Sequence, residues 1–303
     1  MFIIKNRKIF FIFSGLLVGI SVLFFVMWGL QFGIDFTGGS LLEVEYRDAR
    51  PSVEELQGRV ESLEFGAVLT QPSGEKGVLI RMRDLSEEEH QQVLQALEPL
   101  ENMQLSPAFL ELRFDSIGPT IGDELRRKSI IALVLVIVMI LLFITWSFRK
   151  VSRPVASWKY GLIAILALAH DVIIPTGLFS FLGQFFHVEV GTLFVTALLT
   201  ILGFSVHDTI VVFDRIRENI TKFGSHKPFE EVVGKSLNEV KGRSIATSFA
   251  LFLVLFFLFL FGESSTTFFS LTLLVGVVVG TYSSVFLASP LIVTWQKFSS
   301  RSK

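Results

Sequence analysis

Six long apolar runs, joined mostly by short basic connections, leave this chain little choice of architecture. A helix needs about 20 predominantly apolar residues to cross a bilayer, because in lipid each backbone N–H and C=O must be satisfied within the segment. Ile9–Leu30, Ser129–Phe148, Tyr160–Phe186, Val190–Phe213, Ser244–Gly262 and Thr266–Trp295 meet that length. The chain is 51% hydrophobic and 18% charged, and its net charge of -1 averages water-facing and lipid-facing parts. It has no cysteine, which excludes disulfides, thiol catalysis and thiolate metal sites. Lys5, Arg7 and Lys8 precede the first run as they would in a signal peptide. That run is too long and lacks a small-x-small cleavage site, so an uncleaved anchor is expected.

Six spans place both termini on one side, and the side follows from Lys and Arg near the span ends. The N-terminus, the 149–159 loop (Arg149, Lys150, Arg153, Lys159), the 214–243 loop and the tail at 297–303 together carry seventeen. The short loops on the opposite face, Gln184–Glu189 and Glu263–Ser265, carry none. The basic face is therefore expected to be cytoplasmic. Arg126, Arg127 and Lys128 dissent from the other side and are outnumbered.

The expected organisation is a first span within 1–30, a water-facing domain at 31–128, a five-helix bundle at 129–296 and a tail at 297–303. Within the domain, the pattern predicts strands at Ser40–Tyr46, Ala67–Gln71, Gly77–Met82 and Ala108–Phe114, with helices at Pro51–Leu63 and Ser86–Leu97. Ser86 and Glu89 have capping-box spacing. The order βαββαβ predicts an α+β ferredoxin-like module, a fold that names no function. Across Pro228–Val240, Phe229, Val232, Val233, Leu237 and Val240 share one helical face. Either an interfacial amphipathic helix or a small helix packed beneath the bundle fits.

Ionisable groups inside a span are costly and call for a reason. Four occur: His170 and Asp171 at the centre of the third span, and His207 and Asp208 about 9 Å from the midpoint of the fourth. Arg243 opens the fifth span with Thr247 one turn on. Arg243 reads either as a residue snorkelling to the interface or as a partner of Asp208 across antiparallel helices. An acid beside a guanidinium stays charged, and the same acid left in low dielectric takes up a proton. Thr247 either joins that exchange or bonds back to its own helix, the commoner habit. Neighbouring residues on a helix point about 100° apart, so a His–Asp pair is a poor metal chelate, and no metal site is expected. Pro175 frees backbone groups in the turn holding Asp171, where a kink or hydrated defect is expected. Gly276, Gly280, Ser284 and Ala288 recur at four-residue spacing, and Gly15 and Gly19 do so in the first span, which are marks of close helix packing.

Several of these residues also resemble a known family, SecD/SecF, of the RND transporter superfamily. Asp35-Phe36-Thr37-Gly38-Gly39 is similar to its D-F-T-G-G signature, and Gly118-Pro119 with Gly122 to its G-P-x-x-G. Leu168–Asp171 resembles the A-H-D of the third span, and Gly203–Val212 the G-Y-S-x-N-D-[ST]-I-V-V of the fourth. Asp214–Asn219 reproduces the following D-R-I-R-E-N, and Arg243 with Thr247 the R-x-x-x-T of the fifth. The resemblance implies a bacterial inner-membrane protein with a large periplasmic domain, forming a pseudo-symmetric unit with SecD. That unit assists the SecY-E-G channel by using the proton-motive force to draw preproteins across. YajC, YidC and membrane lipids are implied as further partners, with protons in place of a cofactor and no nucleic acid bound.

By position the resemblance assigns proton transport to Asp208, with Arg243 and Thr247 as its partners across the interface with SecD. His207, His170 and Asp171 are placed with them on their own chemistry. His207 stands where the family has Asn, which adds a titratable group beside Asp208 and predicts pH dependence between about 5 and 8. Phe204 replaces a Tyr at little expected consequence. No phosphate loop or nucleophile triad appears, so no enzymatic activity is expected. An RND-type proton-coupled exporter of lipids or small molecules is the rival reading. An intramembrane aspartyl protease fails for want of G-x-G-D, and a structural scaffold would not need Asp208.

Overall fold

The computed structural model describes residues 2–98, 108–148, 156–223, 226–262 and 264–301. Arg149, Lys150, Arg153, Glu263 and Lys303, used above for orientation, lie outside the described residues. The chain forms two compact units, a helical one made of 1–31 and 130–303, and a second at Phe32–Ser129. The first helix, α1 (Arg7–Trp28), ends at Gly29, whose φ of 67° lies in the left-handed region that favours glycine.

The second unit is the α+β module. Its elements are β1 (Gly39–Tyr46), α2 (Val53–Glu61), β2 (Leu69–Ser73), β3 (Gly77–Met82), α3 (Glu87–Leu97) and β4 (Phe109–Ile117). The sheet order β2-β3-β1-β4, antiparallel throughout, is what βαββαβ connectivity gives when both helices cover one face. Leu42, Val44 and Tyr46 of β1 and Val78 and Ile80 of β3 alternate inward. They meet Leu56 and Val60 of α2 and Val93 and Leu97 of α3. Each fully buried aliphatic contributes about 1.5–3 kcal/mol. Capping fixes where the helices begin. Ser52 accepts from Glu55 N–H, and Ser86 and Glu89 close the full capping box. At the far end of α3, Tyr46 Oη donates to Leu97 O at 3.1 Å and Arg59 to Glu98 O at 2.9 Å, which satisfies carbonyls the helix leaves open. Burial pushes the Tyr46 hydroxyl up to about 12 against the pull of Arg59, so it stays a donor at any working pH.

α4 (Pro119–Ser147) begins in the second unit and enters the helical unit at 130, which continues with α5 (Ser157–Phe186), α6 (Thr192–Phe223) and α7 (Phe229–Phe261). Last comes α8 (Ser264–Tyr282), which passes through a π-helical turn, Ser283–Ala288, into α9 (Ser289–Arg301). Six of these helical stretches are long and apolar enough to span a membrane. The chain is a multi-pass helical membrane protein. Helices overrun the expected spans because no breaker stops them. Pro228–Val240 is therefore no separate interfacial helix but the first turns of α7, and its Val232, Val233 and Leu237 are buried in the bundle. The packed alternative was the nearer one. α5 likewise runs on through Pro175, which cannot donate to the Asp171 carbonyl one turn before it.

Two apolar clusters build the bundle core. One gathers Tyr160, Phe213, Val233, Leu237 and Ile292, and the other Phe179, Phe194, Ile201, Leu255 and Val277. Every one of α5, α6, α7 and the α8–α9 rod contributes to both. On each of them buried polar residues lie between the clusters: His170 and Asp171, Ser205 and Asp208, Ser244 and Ser248, Ser283 and Ser284. A layer of hydroxyls and acids thus lies between two greasy ends.

Candidate functional site: two caged carboxylates

α6 supplies the axis of the site. Ser205, Asp208 and Thr209 are all buried, Asp208 and Thr209 lying three and four residues beyond Ser205 and about 100° from each other, so each meets a different neighbour. Asp208 meets α7. Ser244 Oγ donates to its Oδ2 at 2.8 Å, and Ser248 Oγ lies at 3.5 Å from the same atom. Thr209 meets the π-turn, its hydroxyl 3.0 Å from that of Ser284. Ser205 meets α5, donating to Asp171 Oδ2. Asp171 is fully buried and takes two further donors, Ser283 Oγ on Oδ2 at 2.7 Å and His170 Nδ1 on Oδ1 at 2.8 Å.

The register of α6 on α7 is fixed by a clamp three turns away. Asn219, buried, donates to Ser236 Oγ at 2.9 Å and to Glu239 Oε2 at 2.8 Å, and Arg215 Nε reaches the same Glu239 oxygen at 2.7 Å. In an antiparallel pair, that pairing of 219 with 236–239 carries 208 to the level of about 247–250, within one turn of Ser244 and Ser248. D-R-I-R-E-N therefore holds the acid opposite its hydroxyls.

Arg243 does not pair with Asp208, contrary to the intramolecular expectation. It is exposed, and among the described residues no Lys or Arg lies at ion-pair distance from either buried acid. The reason is rotational. Ser244 and Ser248 form the α7 row that faces α6, and Arg243 and Thr247 form the adjacent row, about 100° round the helix. Thr247 Oγ1 donates to Arg243 O at 3.0 Å and Ser244 O at 2.9 Å, the back-bond to its own helix. His207 is exposed one residue round from Asp208. His170 is buried, and its Nε2 finds no partner among the described residues. No group of three or more His, Cys, Asp or Glu able to hold a metal occurs among the described residues.

The small residues mark close approaches in some places and open space in others. A Cβ on Gly276 would lie 2.2 Å from the Ile201 side chain, and one on Gly280 3.2 Å from Ser205 Cβ. Gly15 and Gly19 face open space. In the α+β unit two distant motifs interlock. A Cβ on Gly38 (φ 73°) would sit 2.8 Å from Pro119 Cα, and one on Gly122 2.8 Å from Gly38 N. Gly39 and Gly118 flank that contact, and half-buried Asp35 lies in the single turn Ile34–Thr37 leading into it.

The site missed in sequence is its hydroxyl lining: Ser205, Ser244, Ser248, Ser283 and Ser284. Serine is common in membrane helices, where it bonds to its own backbone, so it carries no signal until a neighbour's carboxylate is seen beside it. A signal was available for the π-turn in Ser289-Pro290, since Pro290 has no N–H to continue the ladder and π-turns mark functional helices.

Fold and site define a helical membrane protein of six spans, carrying one α+β insert and a buried acid layer. Residues 99–298 match the family described as Protein export membrane protein SecD/SecF, C-terminal, and residues 22–49 match the SecD/SecF GG Motif. The chain is 38% identical over 305 residues to Protein translocase subunit SecF of Thermobaculum terrenum, covering 97% of this chain and 93% of that one. It is 38% identical over 308 residues to the subunit of the same name from Sebaldella termitidis, covering 99% and 94%. Among solved structures it resembles SecDF, a translocon-associated membrane protein from Thermus thermophilus, with TM-score 0.80 and 32% identity. That match covers 97% of this chain and 38% of the longer SecDF chain. The chain belongs to the SecD/SecF family of protein-export membrane proteins.

Proposed function

We propose that this chain is the SecF-type subunit of a bacterial protein-export machinery, working with SecD to draw preproteins outward through SecY-E-G at the expense of the proton-motive force. One observation supports this above the rest. Asp208 is buried among hydroxyls with no Lys or Arg among the described residues at ion-pair distance, while Arg243 and Thr247 stand on the exposed flank of the helix that cages it. The second half of such a site belongs to the face a partner helix covers, and SecD is that partner. The fused SecDF relative, in which a chain like this one makes up about a third of the length, supports the pairing.

In this reading the protein lies in the inner membrane with both termini cytoplasmic and the α+β unit periplasmic. Asp208 takes a proton, its bonds to Ser244 and Ser248 weaken, α7 shifts against α6, and the periplasmic unit responds. One charge crossing 100 mV releases about 2.3 kcal/mol, and about 1.4 kcal/mol is a tenfold change in a two-state population, so one proton suffices to switch the bundle. The chain makes and breaks no covalent bond and uses protons in place of a cofactor. YajC, YidC and lipids complete its surroundings.

Complementation tests the reading. In cells lacking their own SecD and SecF, this chain with its SecD partner is expected to clear accumulated signal-bearing precursors. If the inserted pair moves protons yet leaves the precursors in place, the export role is wrong and an RND-type exporter of lipids or small molecules replaces it.

A further inference from the structure

The second acid, Asp171, does a job that the exchange at Asp208 does not use. Its surroundings are a closed hydrogen-bond circuit whose parts come from three helices. His170 Nε2 is buried without a partner, so the ring hydrogen belongs on Nδ1, where it donates to Asp171 Oδ1. An orphaned lone pair costs less than an orphaned N–H. That leaves Oδ2 as the atom facing Ser205 and Ser283. Ser283 has one hydrogen and two acceptors within reach, Asp171 Oδ2 at 2.7 Å and Gly280 O at 3.0 Å. It can therefore donate to the charged acid, or turn its hydrogen to Gly280 O and accept from the neutral acid. Both protonation states of Asp171 are satisfied with no movement beyond a hydroxyl rotation.

We propose that Asp171 is a second proton-binding site of this chain, with Ser283 the hydroxyl that reverses as the proton arrives and His170 the residue that steers the proton to Oδ2. This rests on the proton-coupled reading above. In the step, a protonated water gives up one O–H bond as one O–H bond forms at Asp171 Oδ2, the new O–H donates to Ser283 Oγ, and the Ser283 hydroxyl, its own O–H intact, rotates to donate to Gly280 O. The charge of the circuit rises by one, and release reverses each move.

The groups that face Asp171 come from every element packed against it. From α5 itself comes His170. α6 brings Ser205, with Asp208 one turn further on. α8 and the π-turn bring Ser283 and Tyr282, whose ring stacks on His170 at 6.1 Å between centroids. From α1 comes Ser14, which donates to Tyr282 Oη at 3.3 Å. Lys and Arg are absent from this set. Ser283 opens the π-turn, so the hydroxyl that reports the proton belongs to the irregular stretch of the sixth span, where a change of bonding has somewhere to go.

Infrared difference spectra of the full chain with SecD in lipid nanodiscs, titrated across about pH 5 to 9, test this. Beside the band of Asp208, a second carboxylic-acid band is expected in the wild type, lost in Asp171→Asn, retained in Asp208→Asn and displaced in frequency in Ser283→Ala. Ser283→Ala keeps the acid and removes only its acceptor, so it carries the test should Asp171→Asn fail to assemble. No such band in the wild type, a band unchanged in Asp171→Asn, or one unmoved in Ser283→Ala overturns the proposal. The band outlasting a failure of Asp208→Asn to impair export would sink the proton-driven reading while leaving this site standing.

Discussion

At the scale of single residues, one helical row decides what a side chain can do. Ser244 and Arg243 are neighbours in sequence, yet one cages Asp208 and the other faces outward. This predicts a separation of effects. Arg243→Ala should leave thermal stability of the chain within about 0.5 kcal/mol, since the side chain is exposed, while lowering gradient-driven export at least about tenfold. An equal loss of stability would place Arg243 in the packing instead. A cysteine at 247 should cross-link to SecD in native membranes, and cross-linking only within the chain would contradict the interface. His207 stands beside Asp208 where the family has Asn. His207→Asn should then shift the pH profile of export between about 5 and 8, and an unmoved profile ends that role. The acids, the histidines and Arg243 were all legible in sequence as residues out of place in lipid. Which of them touch was not, because a spacing of one residue fixes an angle round the helix but not which neighbour stands there.

Elements are where the motifs acquire physical reasons. D-R-I-R-E-N is legible only as a string of charges, but Asn219 and Arg215 use it to clamp α6 on Glu239 and Ser236 of α7. Asn219→Ala removes its bonds to buried Ser236 and to Glu239, which keeps Arg215, and should cost about 0.5–1.5 kcal/mol, read from the chain's unfolding in detergent. No loss there would mean the helix register is set elsewhere. The glycines of D-F-T-G-G and G-P-x-x-G meet because Gly38 and Gly122 allow backbone to touch backbone. In the α+β unit, alternation and the capping box made the order of elements readable, with ends displaced by a residue or two where a cap decides the boundary. The capping Glu89 is held down to about 2 by its bond from Arg83 and by Ser86 N–H. A depressed carboxylate stabilises the fold above its unfolded value near 4.3 and loses that contribution as pH falls towards 2. Melting of the unit should therefore drop over that acid range less steeply in Glu89→Gln than in the wild type, and identical slopes would contradict the assignment.

At the scale of the whole chain, the helical unit is a bundle with its polar layer held between two apolar clusters. Composition and hydropathy were enough to count the spans, because lipid imposes one length on each. They could not show that Pro228–Val240 joins α7, since an amphipathic face looks the same lying on a membrane or packed beneath a bundle. Nor could they show the polar layer, which exists only once four helices are aligned. Its most exposed claim is that Asp208 is there to be titrated. The direct measurement is gradient-dependent export of a preprotein by membrane vesicles carrying the full chain with SecD, comparing wild type with Asp208→Asn. The account predicts that the variant assembles in equal yield and that its export no longer responds to the proton gradient. An undiminished response would contradict it.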